Sequence, residues 1–294
     1  MSRRASALAL LALLAACSAV PLPRHSPYHP ADADLSVTRI VHASLIVEMH
    51  GTRLLVDPWF YSGLVMRQSE PLGLTPADLP GVAAVLLTHE HGGHTDDAAL
   101  GQLAKSVPEV IAPERLQGRL RALGFRQVTT LGWWEGTSVG DVRVTAVPAA
   151  HAVPENGYVL EAGGVSVYLG GDTREFDELA DVAARFPHLD VALLPVGGER
   201  LLGFPRTMGP TQAAEAAAKL GAGHVIPIAY GKQGGFPVRW YARHPLARFI
   251  EACRDQGVAA ERIVTLEPGE SWHYYTPRAA LRPGDPEPVS DQSR

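Results

Sequence analysis

The sequence predicts a single layered α/β domain, and three observations predict it. Apolar runs of strand length alternate with amphipathic runs of helix length through both halves of the chain. Histidines and an aspartate stand just past the ends of several of those strands, where loops converge in layered folds. The chain has 294 residues, 46% of them apolar, which is enough for one large core.

Taken in order, the chain opens with a basic head, Met1-Ser2-Arg3-Arg4, and an apolar run from Ala5 to Ala16 that is too short to cross a bilayer. Leu14-Ala15-Ala16-Cys17-Ser18 resembles a bacterial lipoprotein processing box. It implies that residues 1–16 are a signal peptide and that Cys17 receives a lipid. A plain secretory signal with an incidental cysteine is the other reading, and both export the protein. Residues 17–36 are proline-rich and read as a tether.

The domain is expected over 37–276. Val37–Glu48 and Arg53–Val56 read as strands joined at His50-Gly51. Tyr61–Pro80 has no clear period and reads as a loop. Val82–Leu87 is a buried strand, followed by helices over Asp96–Ala104 and Pro113–Leu123. Strands at Asp141–Val147, Tyr158–Glu161 and Val165–Leu169 precede a helix over Phe176–Phe186. Val191–Pro195 is a buried strand, and Thr211–Leu220 is a helix set between Pro210 and Gly221. Residues 277–294 are rich in Pro, Asp and Ser and read as a disordered tail.

The chemistry concentrates in Thr88-His89-Glu90-His91-Gly92-Gly93-His94-Thr95-Asp96. Three imidazoles fall within six residues at the end of a strand. Three protein ligands plus water make an open zinc site. His151 and Asp172 follow strands of their own, Asp172 behind the pair Gly170-Gly171. Alone, His151 reads as an ordinary histidine and Asp172 as a helix cap; with the histidine loop they form a constellation.

His89-x-His91-x-x-His94, then His151, then Gly170-Gly171-Asp172-Thr173 resembles the metallo-β-lactamase-fold hydrolases. Leu194-Pro195-Val196-Gly197-Gly198 and the run from Met208 to Ile228 are similar to the branch holding ascorbate-phosphate lactonases and N-acyl-phosphatidylethanolamine phospholipases D. The resemblance implies a four-layer αββα sandwich. It implies zinc on His89, His91 and His151, with Asp172 as a fourth ligand or as the group orienting a metal-bound water. Tyr61–Pro80 becomes a candidate lid, and Asp57 and Asp96 become acids that orient ligand histidines.

Two departures stand out. Gly93 stands where the family has an aspartate, and Ala229 where it has its last histidine. His94 is then the remaining second-site ligand beside Asp172, so one zinc per chain is expected. Gly93→Asp with Ala229→His would rebuild the family pattern. Lys232, three residues past Ala229, reads either as a cation replacing the second metal or as a solvated loop lysine. Tyr230 reads either as a hydrogen-bond donor to the same oxygen or as packing.

The net charge is −5, with Lys and Arg scattered, which argues against a nucleic-acid surface. Cys253 has no partner once Cys17 is lipidated, and it sits in a helical pattern as a structural thiol. The expected protein is a metal-dependent hydrolase of an ester-type bond, a phosphodiester or lactone, acting through a metal-bound hydroxide. Its substrate is small or lipid-like, and its lipid anchor places it in the cell envelope, at the outer membrane facing the periplasm. The alternative is a binding or scaffolding lipoprotein on the same fold.

Overall fold

Alternation along each strand decides the layering. The computed structural model describes residues 33–63, 66–234 and 239–276. Residues 1–32, with Cys17 and most of the tether, and the 277–294 tail lie outside the described residues. Seven strands form one sheet: β1 (Leu35–Val41), β2 (Ser44–Met49), β3 (Thr52–Val56), β4 (Ala84–Leu86), β5 (Glu109–Ala112), β6 (Gln127–Thr130) and, from the far end of the chain, Ser271–Tyr274. The second sheet holds β7 (Gly136–Val139), β8 (Val142–Pro148), β9 (Asn156–Ala162), β10 (Val165–Leu169), β11 (Val191–Pro195) and β12 (His224–Ile228). With Ser271–Tyr274 as β13, the orders are β13-β1-β2-β3-β4-β5-β6 and β12-β11-β10-β9-β8-β7.

In β2, Leu45 and Val47 join the core between the sheets, whereas Ile46 joins a second core outside. In β9, Tyr158 and Leu160 face the first sheet, whereas Val159 faces a third core. The period of two gives each sheet two apolar faces. Helices cover the outer ones. Helices α1 (Asp97–Leu103) and α2 (Gln117–Ala122) bring Leu100, Leu103 and Leu120 onto the first sheet. Helices α3 (Leu179–Arg185), α4 (Pro210–Leu220) and α5 (Pro245–Asp255) bring Val182, Ala213, Ala217, Phe249 and Cys253 onto the second. Three interlayer cores make the four-layer αββα sandwich that the family resemblance implies. The strands joined by α1 and α2 run parallel in the first sheet, as do β10, β11 and β12 in the second.

One expected element is different in a way that matters for the site. Val37–Glu48 is not one strand but a hairpin, β1 and β2, turned at His42-Ala43 with His42 at φ 54°. Every residue from Leu35 to Val47 is buried, so the turn carries none of the polar residues that mark turns in sequence. β5, β6, β7 and β13 had no sequence counterpart; each is only four residues long. Part of the expected lid, Met66–Gln68, is a short strand paired antiparallel with Lys232–Gly234.

Candidate metal centre

The turns at one edge of the sandwich supply the site. The histidine loop leaves β4, His151 follows β8, Asp172 follows β10, Lys232 follows β12 and His42 lies between β1 and β2. Ligand atoms of His89, His91 and His151 all lie within 4.8 Å of one another.

Two of the three rings are turned by outer partners. His151 Nδ1 lies 2.9 Å from the Arg206 carbonyl, which can only accept, so Nδ1 donates and Nε2 is left with its lone pair. That Nε2 faces His91 Nδ1 at 2.9 Å. Nitrogens bound to one tetrahedral zinc at about 2.0–2.1 Å stand roughly 3.3 Å apart, so the pair is near coordinating geometry. His89 Nδ1 lies 2.9 Å from Thr88 Oγ1 and 3.2 Å from Glu155 Oε1, and its buried Nε2 has no hydrogen-bond partner. Burial, and then the charge of His94, holds His89 well below the usual imidazole range. Burial, then His89 and His151, brings His91 down to about 3. Both are neutral at pH 7, which is the form that binds metal.

A second group lies beside the first. His42, His94 and Asp172 are buried, with ligand atoms again within 4.8 Å of one another. Asp57 accepts from the Thr88 amide at 2.8 Å and the Thr88 hydroxyl at 2.7 Å, and meets His94 Nδ1 at 2.7 Å. His94 Nε2 lies 3.1 Å from Asp172 Oδ2. Burial opposes charge on His94, but Asp172 and Asp57 raise it to about 10. Lys232 enters the same space. Its Nζ is 3.0 Å from Glu199 Oε2 and 3.9 Å from Asp172 Oδ2. Burial opposes this charge too, yet Asp172 and Glu199 hold the ammonium above its ordinary range.

The comparisons place the chain in a family. Residues 52–230 match the model of the Beta-lactamase superfamily domain. The chain belongs to that superfamily. It is 32% identical over 247 residues to a UPF0173 metal-dependent hydrolase from Pyrococcus furiosus, a match covering 81% of this chain and 98% of that one. A metallo hydrolase from Ignicoccus hospitalis superposes with a TM-score of 0.67 at 24% identity, over 82% of this chain and 98% of that chain. An isothiocyanate hydrolase from Delia radicum gut bacteria superposes at 0.65 with 20% identity, over 81% and 98%. The two structures attest the fold; the relative attests a metal-dependent hydrolase.

The superfamily member's own residues fit a metal unevenly. The triad of His89, His91 and His151 fits: three imidazoles converge, two of them held neutral, and the buried His89 Nε2 has no hydrogen-bond partner. The second group has donors, but the Lys232 ammonium stands against it. His94 and Asp172, expected there from the sequence, are joined by His42, which the sequence reading passed over. Tyr230 does not join them: its hydroxyl donates to the Leu266 carbonyl at 3.3 Å, and the Arg39 guanidinium lies over its ring at 4.1 Å. Tyr230 is a packing residue. Asp57 orients a histidine as expected, but Asp96 does not: it caps α1 and accepts from the Phe60 and Tyr61 amides. Two carboxylates were missed. Glu155 accepts from the Asp172 amide at 2.7 Å, and burial pushes it up to about 8. Glu199 follows Gly197-Gly198 at the end of β11; an acid directly behind a glycine pair at a strand end was its available signal.

Proposed function

We propose that this metal-dependent hydrolase cleaves an ester-type bond, in a phosphodiester or a lactone, with one zinc ion on His89, His91 and His151. The convergence of those three imidazoles beside an ionised Asp172 carries the reading. A divalent metal held there supplies Lewis acidity and an acidified water at neutral pH. The chain's own groups do the rest. Asp172 is ionised: burial opposes its charge, but His94 and Lys232 hold it well below the usual carboxylate range. Its Oδ1 is buried without a hydrogen-bond partner and is available to orient the water and take its proton. The Lys232 ammonium, fixed by Glu199, is placed to stabilise the oxyanion that develops as the bond breaks.

A cavity of about 420 Å³ opens beside Gly92 and Gly93 and is walled by Trp59, Tyr61 and Met66. It suits a small or lipid-like substrate with an apolar arm. The Cys17 box supports a lipid-anchored protein at the outer membrane facing the periplasm. Mass spectrometry of the mature N-terminus should find a diacylglyceryl cysteine there, and an unmodified Cys17 would refute the anchor.

The main test is metal analysis of wild type and single variants, coupled to a screen of phosphodiester, lactone and β-lactam substrates. His91→Ala should lose most of the metal and nearly all turnover; His94→Ala should keep most of the metal. Equal metal loss in the two variants would refute the mononuclear reading. Turnover confined to β-lactams would refute the ester reading.

A further inference from the structure

We infer that His42, His94 and Asp172 form a latent second metal site, closed by the Lys232 ammonium that Glu199 holds in place. The inference rests on His89, His91 and His151 being the ligands of the resident metal.

The donors are present. Both ring nitrogens of His42 are buried without a hydrogen-bond partner, as is Asp172 Oδ1. Buried polar atoms are normally paired, so three unpaired polar atoms on two neighbouring residues need an explanation. Packing alone is a poor one. His42 does meet the Trp59 ring edge-on at 5.5 Å and the His94 ring at 5.3 Å, but an apolar side chain would pack there without stranding two nitrogens. The tight turn between β1 and β2 aims this ring into the cluster, with Ala229 donating its amide to the His42 carbonyl at 3.1 Å. His42 is therefore tied to the very segment whose side chain cannot ligate.

The obstruction is also specific. A Cβ at Gly93 would lie 3.5 Å from Lys232 Cδ, 3.7 Å from Lys232 Nζ and 3.7 Å from His42 Cδ2. The lysine side chain thus runs through the space that a residue at 93 would enter, next to His42. Asp172 and Glu199 neutralise it, and little water reaches it: Lys232 is 5% exposed. A divalent ion among His42, His94 and Asp172 would sit against a fixed ammonium in a poorly screened interior, where like charges repel strongly. Glycine at 93, alanine at 229 and lysine at 232 act as one replacement: the side chains that would hold a cation are absent, and a cation that cannot leave takes its place. Glu199 is a positioning residue in this arrangement.

The experiment is zinc stoichiometry by plasma emission on the full chain, after zinc loading and desalting, with circular dichroism to check folding. The parent and Lys232→Arg should hold one zinc per chain. Lys232→Ala should hold two, and Lys232→Ala with His42→Ala should return to one. His42→Ala in the parent background should leave the count at one. A parent that holds two, or a folded Lys232→Ala that holds one, overturns the inference. If Lys232→Ala does not fold, Lys232→Gln serves in its place, and the parent count and His42→Ala stand regardless: metal lost from His42→Ala alone makes His42 a ligand of the resident ion and overturns the inference. A parent holding none refutes the reading of the first site, and a gain of one on losing the ammonium would still show the second.

Discussion

At Gly93 the backbone φ is +107°, well beyond the left-handed region near +57° that aspartate tolerates. Rebuilding the family pattern with Gly93→Asp and Ala229→His therefore meets two obstacles that sequence comparison does not reveal. The new side chain is strained by about 1–3 kcal/mol, and its carboxylate starts beside the Lys232 ammonium, with which it pairs. The double variant is expected to melt lower than the parent and still to hold one zinc. Adding Lys232→Ala should raise the count to two. Metal analysis of the double and triple variants with thermal melts checks this; two zincs in the double variant would show that the lysine yields. The site was legible where spacing carried it: His89, His91, His94, His151 and Asp172 converge as read. His42 was hidden because its turn lies inside an unbroken buried stretch. Glu155 and Glu199 were hidden because their role is to hold other residues, and no spacing rule announces such a role. Tyr230 stayed open between two readings because only the fold shows that the Leu266 carbonyl takes its hydroxyl and the Arg39 guanidinium covers its ring.

Among elements, the long periodic ones were legible and the short ones were not. Helix α4 begins with Pro210, with the Gly209 amide donating to Gln212 Oε1 at 3.1 Å, and ends at Gly221 with φ 64°; proline ahead and glycine behind are readable punctuation. Four-residue strands such as β6 draw their stability from neighbours, which a local pattern cannot show. The junction of β11 and β12 is where an element's geometry reaches the chemistry. A Cβ on Gly197, just past β11, would run into the Ala229 carbonyl oxygen just past β12. Backbone has nowhere to retreat between paired parallel strands. Gly197→Ala should cost about 1–3 kcal/mol by overpacking and disturb the segment leading to Lys232. Gly118→Ala is the control: it lies in α2 with open space around it, and should gain roughly 0.5–1 kcal/mol from helix propensity. Urea melts of the two variants should move in opposite directions. A neutral Gly197→Ala would mean that the β11–β12 junction relaxes freely and does not position the lysine.

For the whole molecule, the decisive connection is between the two ends of the domain. β13 pairs antiparallel with β1, Leu35 opposite Tyr274 and Thr38 opposite Ser271, so the last strand of the domain closes the edge beside the first. It also ties the two sheets together. Trp272 and Tyr274 pack against the core between them, and the Tyr274 hydroxyl donates to Asp190 Oδ1 at 2.9 Å, immediately ahead of β11 in the other sheet. Past the strand, the Thr276 amide and hydroxyl both donate to Asp34. A chain limited to residues 33–276 keeps β13 and both of these ties and is the reference. A chain limited to 33–269 loses β13. It leaves the β1 backbone unpaired along one side and uncovers the inter-sheet core. Two part-buried aromatics at roughly 1.5–3 kcal/mol each amount to about 3–6 kcal/mol, and a domain of this size loses roughly 2–4 °C per kcal/mol. A drop of about 6–24 °C is expected, together with aggregation through the exposed edge. The His89, His91 and His151 cluster lies on turns between other strands, so the shortened chain should keep the metal content of the longer one below its melting point. Equal melting temperatures for the two chains would show that β13 is dispensable and that the core between the sheets closes without it.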